Sequence, residues 1–177
     1  GACTRGMDGE RVPVVNILCV VAHPDDEVLG CGGTLAKHAE AGDTVCVAIA
    51  VHRQIADLGA VATTLGTGTY IVGSVHWADQ QLDMLPLMKL VEWVESLPAA
   101  DVVYVHSPDD LNLDHALTAR AVLTAFRAPA SQATILAFET LSSTEFGSVA
   151  FQPNHWEVLT RVHVDAKCRA LSCYPSE

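Results

Sequence analysis

The chain has 177 residues, half of them hydrophobic, and a formal net charge of −11. That length reads as a single domain with enough apolar side chains to bury a sizeable core. The acidic balance excludes a nucleic-acid backbone or an anionic membrane as partner, since both need a basic face, but leaves a small neutral substrate open.

Residues 1–11 are polar and lack the apolar stretch of a signal peptide. They are expected to be disordered or vector-derived, with Met7 as a candidate native start and the domain over 12–177. The run Asn16-Ile17-Leu18-Cys19-Val20-Val21 opens a strand expected over 16–22. Helical spacing follows over 32–41, with Gly42 placed to cap its end. A strand is expected over 44–51, a helix over 53–65 ended by Gly66, and a strand over 69–72. Pro86 suits the first position of a helix over 86–97. A strand over 101–106, a helix over 115–127, a strand over 134–138 and a helix over 165–173 complete the pattern. The stretch 139–160 lacks periodicity and is expected to wrap the sheet edge.

Several of these strands are nearly continuous Val, Ile and Ala, as in parallel sheets covered on both faces. Their alternation with helices predicts a single-domain, Rossmann-like, doubly wound α/β fold with a mostly parallel sheet. Ligands of such folds bind beyond the carboxyl ends of the strands. No apolar run reaches the roughly 18 to 20 residues of a membrane span. Six cysteines show no Cys-x-x-Cys pair. They are expected to be free, mostly buried thiols, which fits a reducing cytoplasm. The apolar fraction is compatible with a homo-oligomer.

Two segments at strand ends carry the chemistry. The first is Ala22-His23-Pro24-Asp25-Asp26-Glu27. Unpaired charge is costly to bury, so a histidine and two adjacent aspartates at the mouth of a buried strand need a purpose. Pro24 keeps His23 extended at the strand end. Asp25 and Asp26, being consecutive, point in different directions, so one can face a metal and the other a substrate. The bland alternative is a helix N-cap with acidic first-turn residues. The second segment is His106-Ser107-Pro108-Asp109-Asp110-Leu111-Asn112-Leu113-Asp114-His115. A catalytic zinc takes three protein ligands and a water. His23, Asp26 and one histidine of this segment would supply them. His115 is preferred, because Asp114 beside it could orient it or relay protons. Gly30, Gly32 and Gly33 stand too far beyond the strand for a dinucleotide loop, so close helix–sheet packing is expected there.

The first motif, the glycine run 30–34 and Asn112-Leu113-Asp114-His115 together resemble the PIG-L/LmbE family of zinc-dependent N-deacetylases. The resemblance runs from about residue 15 to 174. It implies His23, Asp26 and His115 as metal ligands, Asp25 as general base and Asp114 as support for proton transfer. It implies substrate contacts by Arg53 and Asp83. The family often has a histidine where this chain has Asn112, so Asn112 is left to steady the oxyanion without carrying a proton. Relatives continue beyond Tyr174, so part of the substrate wall is expected to be absent or supplied by a neighbouring subunit.

The activity implied is hydrolysis of an acetamide on an N-acetylated, GlcNAc-type sugar, with zinc or another divalent transition metal as cofactor. Two alternatives stand beside it: a deacylase of non-sugar acyl-amines, and a catalytically weak protein that keeps the metal and the ligand site.

Overall fold

The computed structural model describes residues 3–5, 11–51, 57–74, 77–127, 131–141 and 143–174. Cys3–Arg5 (β1) and Arg11–Pro13 (β2) pair as a small antiparallel ribbon, where the polar composition led us to expect no regular element. The rest alternates strand and helix in the expected order. It runs β3 (Asn16–Val21), α1 (Asp26–Ala41), β4 (Thr44–Ile49), α2 (Leu58–Leu65), β5 (Thr69–Val72), α3 (Leu87–Glu95), β6 (Val102–His106), α4 (Leu113–Ala125), β7 (Thr134–Phe138) and α5 (Arg161–Leu171).

Strands β3 to β7 form one parallel sheet in the order β5-β4-β3-β6-β7. The order reverses at the β3/β6 seam, where doubly wound folds place their ligands. The apolar run of β3 serves two cores, because alternate residues of a strand face opposite sides. Leu18 and Val20 pack with Leu90, Val91 and Val94 of α3 and Val122 of α4. Ile17, Cys19 and Val21 pack on the opposite face with Leu35 of α1 and with Val47 and Ile49 of β4. A further layer joins α1, α2 and α5 through Val28, Val61, Leu65, Ala166 and Tyr174. Each such fully buried aliphatic contributes roughly 1.5–3 kcal/mol.

Helix boundaries differ from the sequence expectation in instructive ways. Helix α1 begins at Asp26, six residues before the expected start, and runs through its glycines with non-helical angles only at Cys31. The glycines are there for packing. A Cβ on Gly30 would lie 2.2 Å from the Phe138 ring, and one on Gly33 would lie 2.7 Å from Leu159. Helix α5 begins at Arg161 rather than 165, with Thr160 N–H donating to His163 Nδ1 at its start. Pro86 sits just outside α3, as its cap. Gly42 and Gly66 end α1 and α2 at φ 86° and 74°, a region that glycine adopts without strain.

Candidate metal centre

The chain of β3 leaves the sheet at Ala22 and turns at once into α1. Asp25 is the N-cap of that helix, at φ 107° and ψ −32°. Only glycine adopts such angles freely, and backbone strain of this kind gathers at working sites. An aspartate at an N-cap usually accepts a helix N–H, but the Asp25 side chain makes no such bond. The bland reading of the motif as a cap therefore accounts for Asp25's place in the chain and not for its carboxylate.

The turn brings three side chains together. His23 Nδ1 lies 3.2 Å from His115 Nε2 and 3.2 Å from Asp26 Oδ2, and the latter two atoms are 3.2 Å apart. A tetrahedral ion bound at about 2.0–2.1 Å sets its ligand atoms roughly 3.3–3.4 Å apart. The triangle's 3.2 Å edges are close to that, and its donors are two imidazoles and a carboxylate, the set that zinc and other borderline divalent metals take. The residues present therefore fit a divalent transition metal. The His23 main-chain N–H also donates to Asp26 Oδ2, at 2.8 Å, and holds the carboxylate in place.

Each histidine is braced from behind by a carboxylate, an arrangement that fixes tautomer and ring orientation. His23 Nε2 lies 3.1 Å from Asp114 Oδ2 and 3.2 Å from Asp79 Oδ1. Asp114 is itself held by the N–H groups of Gln80 and Leu82, at 2.8 and 3.2 Å. His115 Nδ1 lies 3.3 Å from Asp110 Oδ2, which also accepts from Thr144 Oγ1 at 2.6 Å and Ser143 Oγ at 3.0 Å. Asp114 thus braces His23, not its neighbour His115 as the sequence suggested.

His106, at the end of β6, belongs to the wall. Its Nε2 accepts the Ala22 N–H at 3.0 Å, its Nδ1 lies 3.1 Å from Thr140 Oγ1, and its ring stacks on His115 at 3.9 Å. Burial drives its pKa down.

The centre is rich in carboxylates. Burial favours the acid form of Asp26, yet the imidazoles of His106, His115 and His23 hold it well below the carboxylate range. Burial disfavours charge on His23, but its hydrogen bonds with Asp114 and Asp26 prevail and push its pKa up to about 10. His115 behaves alike: burial opposes its charge, while Asp110 and Asp26 raise it to about 9. Asp110 is drawn down to about 2, as His115 and Thr144 outweigh its burial. The site gathers protons where a cation would sit.

Asn112 caps α4, its Oδ1 accepting from the N–H groups of Asp114 and His115 at 3.0 and 3.5 Å. That commits the acceptor end of its amide. Asn112, Asp83, Gln80 and Asp114 line a cavity of about 310 Å³ beside His23. Arg53 lies outside the described residues. A larger cavity of about 490 Å³ lies on the α1 side of β7, between Gly30, Tyr104, Phe138 and Phe151, and touches none of the metal-capable side chains.

Asp110, Asp79, Ser143, Thr144 and Glu27 carried no role in the sequence reading. Asp110 stands in the second segment without an assigned role, and Ser143 and Thr144 lie in the stretch without periodicity. The cue available was Asp110 five residues before His115, on the same strand-to-helix turn. His38 also gains an unforeseen carboxylate partner, Asp43, at 2.7 Å.

Fold and site together define a doubly wound α/β protein with a preformed His–Asp–His centre at the reversal of strand order. Residues 18–54, which hold the first motif, match the family model described as PIG-L, GlcNAc-PI de-N-acetylase. The resemblance seen in the sequence is borne out over that stretch. The chain matches no curated protein. Among solved structures it is similar to a deacetylase triple mutant of the teicoplanin biosynthetic pathway, with TM-score 0.74 and 16% identity over 92% of this chain and 82% of that one. It is similar to the N,N'-diacetylchitobiose deacetylase of Pyrococcus horikoshii, with TM-score 0.65 and 18% identity over 89% and 68% of the two chains. A 4-carboxy-2-hydroxymuconate hydratase of Pseudomonas putida KT2440 shares the fold more distantly, with TM-score 0.51 and 21% identity over 93% and 80%. These likenesses show the fold. Among the described residues no helix is long and apolar enough to cross a membrane.

Proposed function

We propose that this chain is a metal-dependent N-deacetylase that releases acetate from an N-acetylated, GlcNAc-type amino sugar. The observation that carries the reading is the 3.2 Å triangle of His23, Asp26 and His115 with Asp25 strained beside it, inside the stretch that matches a de-N-acetylase model. The fold alone does not choose the reaction, since a hydratase shares it. The motif does, supported by the teicoplanin-pathway and N,N'-diacetylchitobiose deacetylases among the similar structures.

His23, Asp26 and His115 would hold the metal, which we take to be zinc. When bound, such an ion acidifies water toward a pKa of about 7 and polarises a carbonyl. Asp25 takes a proton from the attacking water as the new C–O bond forms at the acetamide carbon. The Nδ2 hydrogens of Asn112 are the donors it retains for the developing oxyanion. Asp25 returns the proton to the amine nitrogen as the C–N bond breaks, leaving acetate and a free amine. Asp114 and Asp110 keep the two imidazoles in the tautomers that face the triangle. Asp83, with Arg53, would meet the sugar hydroxyls.

The chain would work in the cytoplasm. Cys19, Cys31 and Cys46 are buried free thiols, as a reducing compartment permits.

Metal analysis and a panel of N-acetyl sugars and non-sugar acyl-amines test the reading together. It predicts about one zinc-class ion per chain, lost in His115→Ala, with acetate released from the sugars. An ion without turnover of any member would leave a metal-keeping binding protein. Turnover of the acyl-amines alone would make it a general deacylase.

A further inference from the structure

We infer that Glu27 is a positioning residue: its carboxylate, gripped by two tyrosines, clamps the main chain of Asp25 in the strained form that aims the base. The inference rests on the proposed role of Asp25. Glu27 is wholly buried, yet among the described residues its oxygens meet two phenols and an amide, and no basic side chain. Tyr174 Oη donates to Oε1 at 2.7 Å and Tyr70 Oη donates to the same oxygen at 3.2 Å. The other oxygen, Oε2, accepts the Asp25 N–H at 3.1 Å.

An acidic residue in the first turn of a helix is ordinary at the surface, where it meets the helix dipole in water. A fully buried one without a cation is costly, and a glutamine or leucine would fill the space more cheaply. The cost is explained by what Oε2 holds. The Asp25 N–H is at the one non-glycine position of this turn with positive φ, 107°, and such a backbone persists only where its surroundings over-determine it. The carbonyl of the same residue is fixed as well, accepting the N–H groups of Val28 and Leu29 at 2.9 and 2.8 Å. With both ends of the residue tied, the Asp25 side chain is restricted in the directions it can take. The tyrosines come from β5 and from the chain beyond α5, so two distant elements converge on the base through one carboxylate.

Three variants of the full, metal-loaded chain test this: Glu27→Gln, Tyr174→Phe and Asp25→Asn. Glutamine can accept at only one end, so it loses either the Asp25 N–H or the tyrosines. Two readouts are needed, hydrogen exchange of the Asp25 amide and steady-state kinetics at matched metal content. Glu27→Gln should speed that exchange and lower kcat about 10- to 100-fold with KM within about twofold, the scale for a misplaced catalytic group. Tyr174→Phe, the milder change, should move both in the same direction by a few fold. Unaltered exchange in both variants overturns the clamp. Faster exchange with unaltered kcat overturns the positioning role and leaves Glu27 a packing residue. Full turnover by Asp25→Asn defeats the proposed base instead, and the exchange measurement still reports on the clamp.

Discussion

His23 and His115 face each other, Nδ1 to Nε2, at 3.2 Å across the seam between β3 and β6. Two imidazoles so placed share one acceptor, Asp26 Oδ2. The pair therefore has two ways to be satisfied: protons on the nitrogens, or one ion among them.

Acid–base behaviour should separate these two states. In the metal-free fold His23 and His115 titrate near 10 and 9, above their ordinary 6.5. A raised pKa adds stability in full below the unfolded value, and that stability is lost as pH rises through the folded one. Metal-free protein should accordingly melt at a lower temperature at pH 9.5 than at pH 6.5. Metal-loaded protein should show the opposite tendency and shed its ion toward low pH, because ligation needs the neutral rings. Thermal melts of both forms across this range, with metal content measured alongside, check the prediction. Parallel curves for the two forms would refute it.

Removing a brace should weaken the centre without dismantling it. Asp110→Asn and Asp114→Asn each keep their shape and lose the charge behind one histidine. Metal affinity should fall about 10- to 100-fold in each, the usual cost of such a change. Competition with a chelator of known affinity measures it. An affinity equal to that of the parent chain would mean that these carboxylates do not orient the rings.

Asp25 should show stability and activity pulling apart. Asp25→Gly relieves the positive φ, and should raise stability by about 1 kcal/mol net of glycine's own entropy, or about 2–4 °C in Tm. The same variant should have no measurable turnover while keeping its metal. A loss of stability in that variant would show that the aspartate side chain, not the strain, dominates at this position.

The Gly30–Phe138 contact should transmit a distant change to the site. A methyl on Gly30 meets the Phe138 ring, and that ring packs at 5.2 Å on His106, which stacks on His115. Gly30→Ala should cost roughly 1–3 kcal/mol through overpacking and weaken metal binding as well. Calorimetry and metal titration on one sample measure both. Lost stability with unaltered metal affinity would confine the effect to the core.

The sheet was legible because its strands are unbroken apolar runs, and a run too apolar to alternate has few places to go except the middle of a parallel sheet. His23, Asp26 and His115 were legible for a related reason: ionisable groups directly after such runs lie at the carboxyl edge. Asp110, Ser143 and Thr144 were not, because their part depends on where a non-periodic segment folds back, and no spacing rule records that. The early start of α1 was hidden by its glycines, which local propensity reads as breakers, whereas contact with Phe138 and Leu159 demands them. Glu27 stood in plain view within the motif. Its meaning depends on Tyr174, 147 positions away.

The three metal-capable side chains reach the centre from both sides of the place where strand order reverses. His23 and Asp26 belong to the half built on β3, and His115 to the half begun by β6. An ion there would act as a rivet through the middle of the sheet, joining two halves that otherwise meet through backbone pairing and side-chain packing. Under a pulling force or during slow unfolding, the loaded protein would open from its outer strands, β5 and β7, while the metal-free protein could part along its central seam.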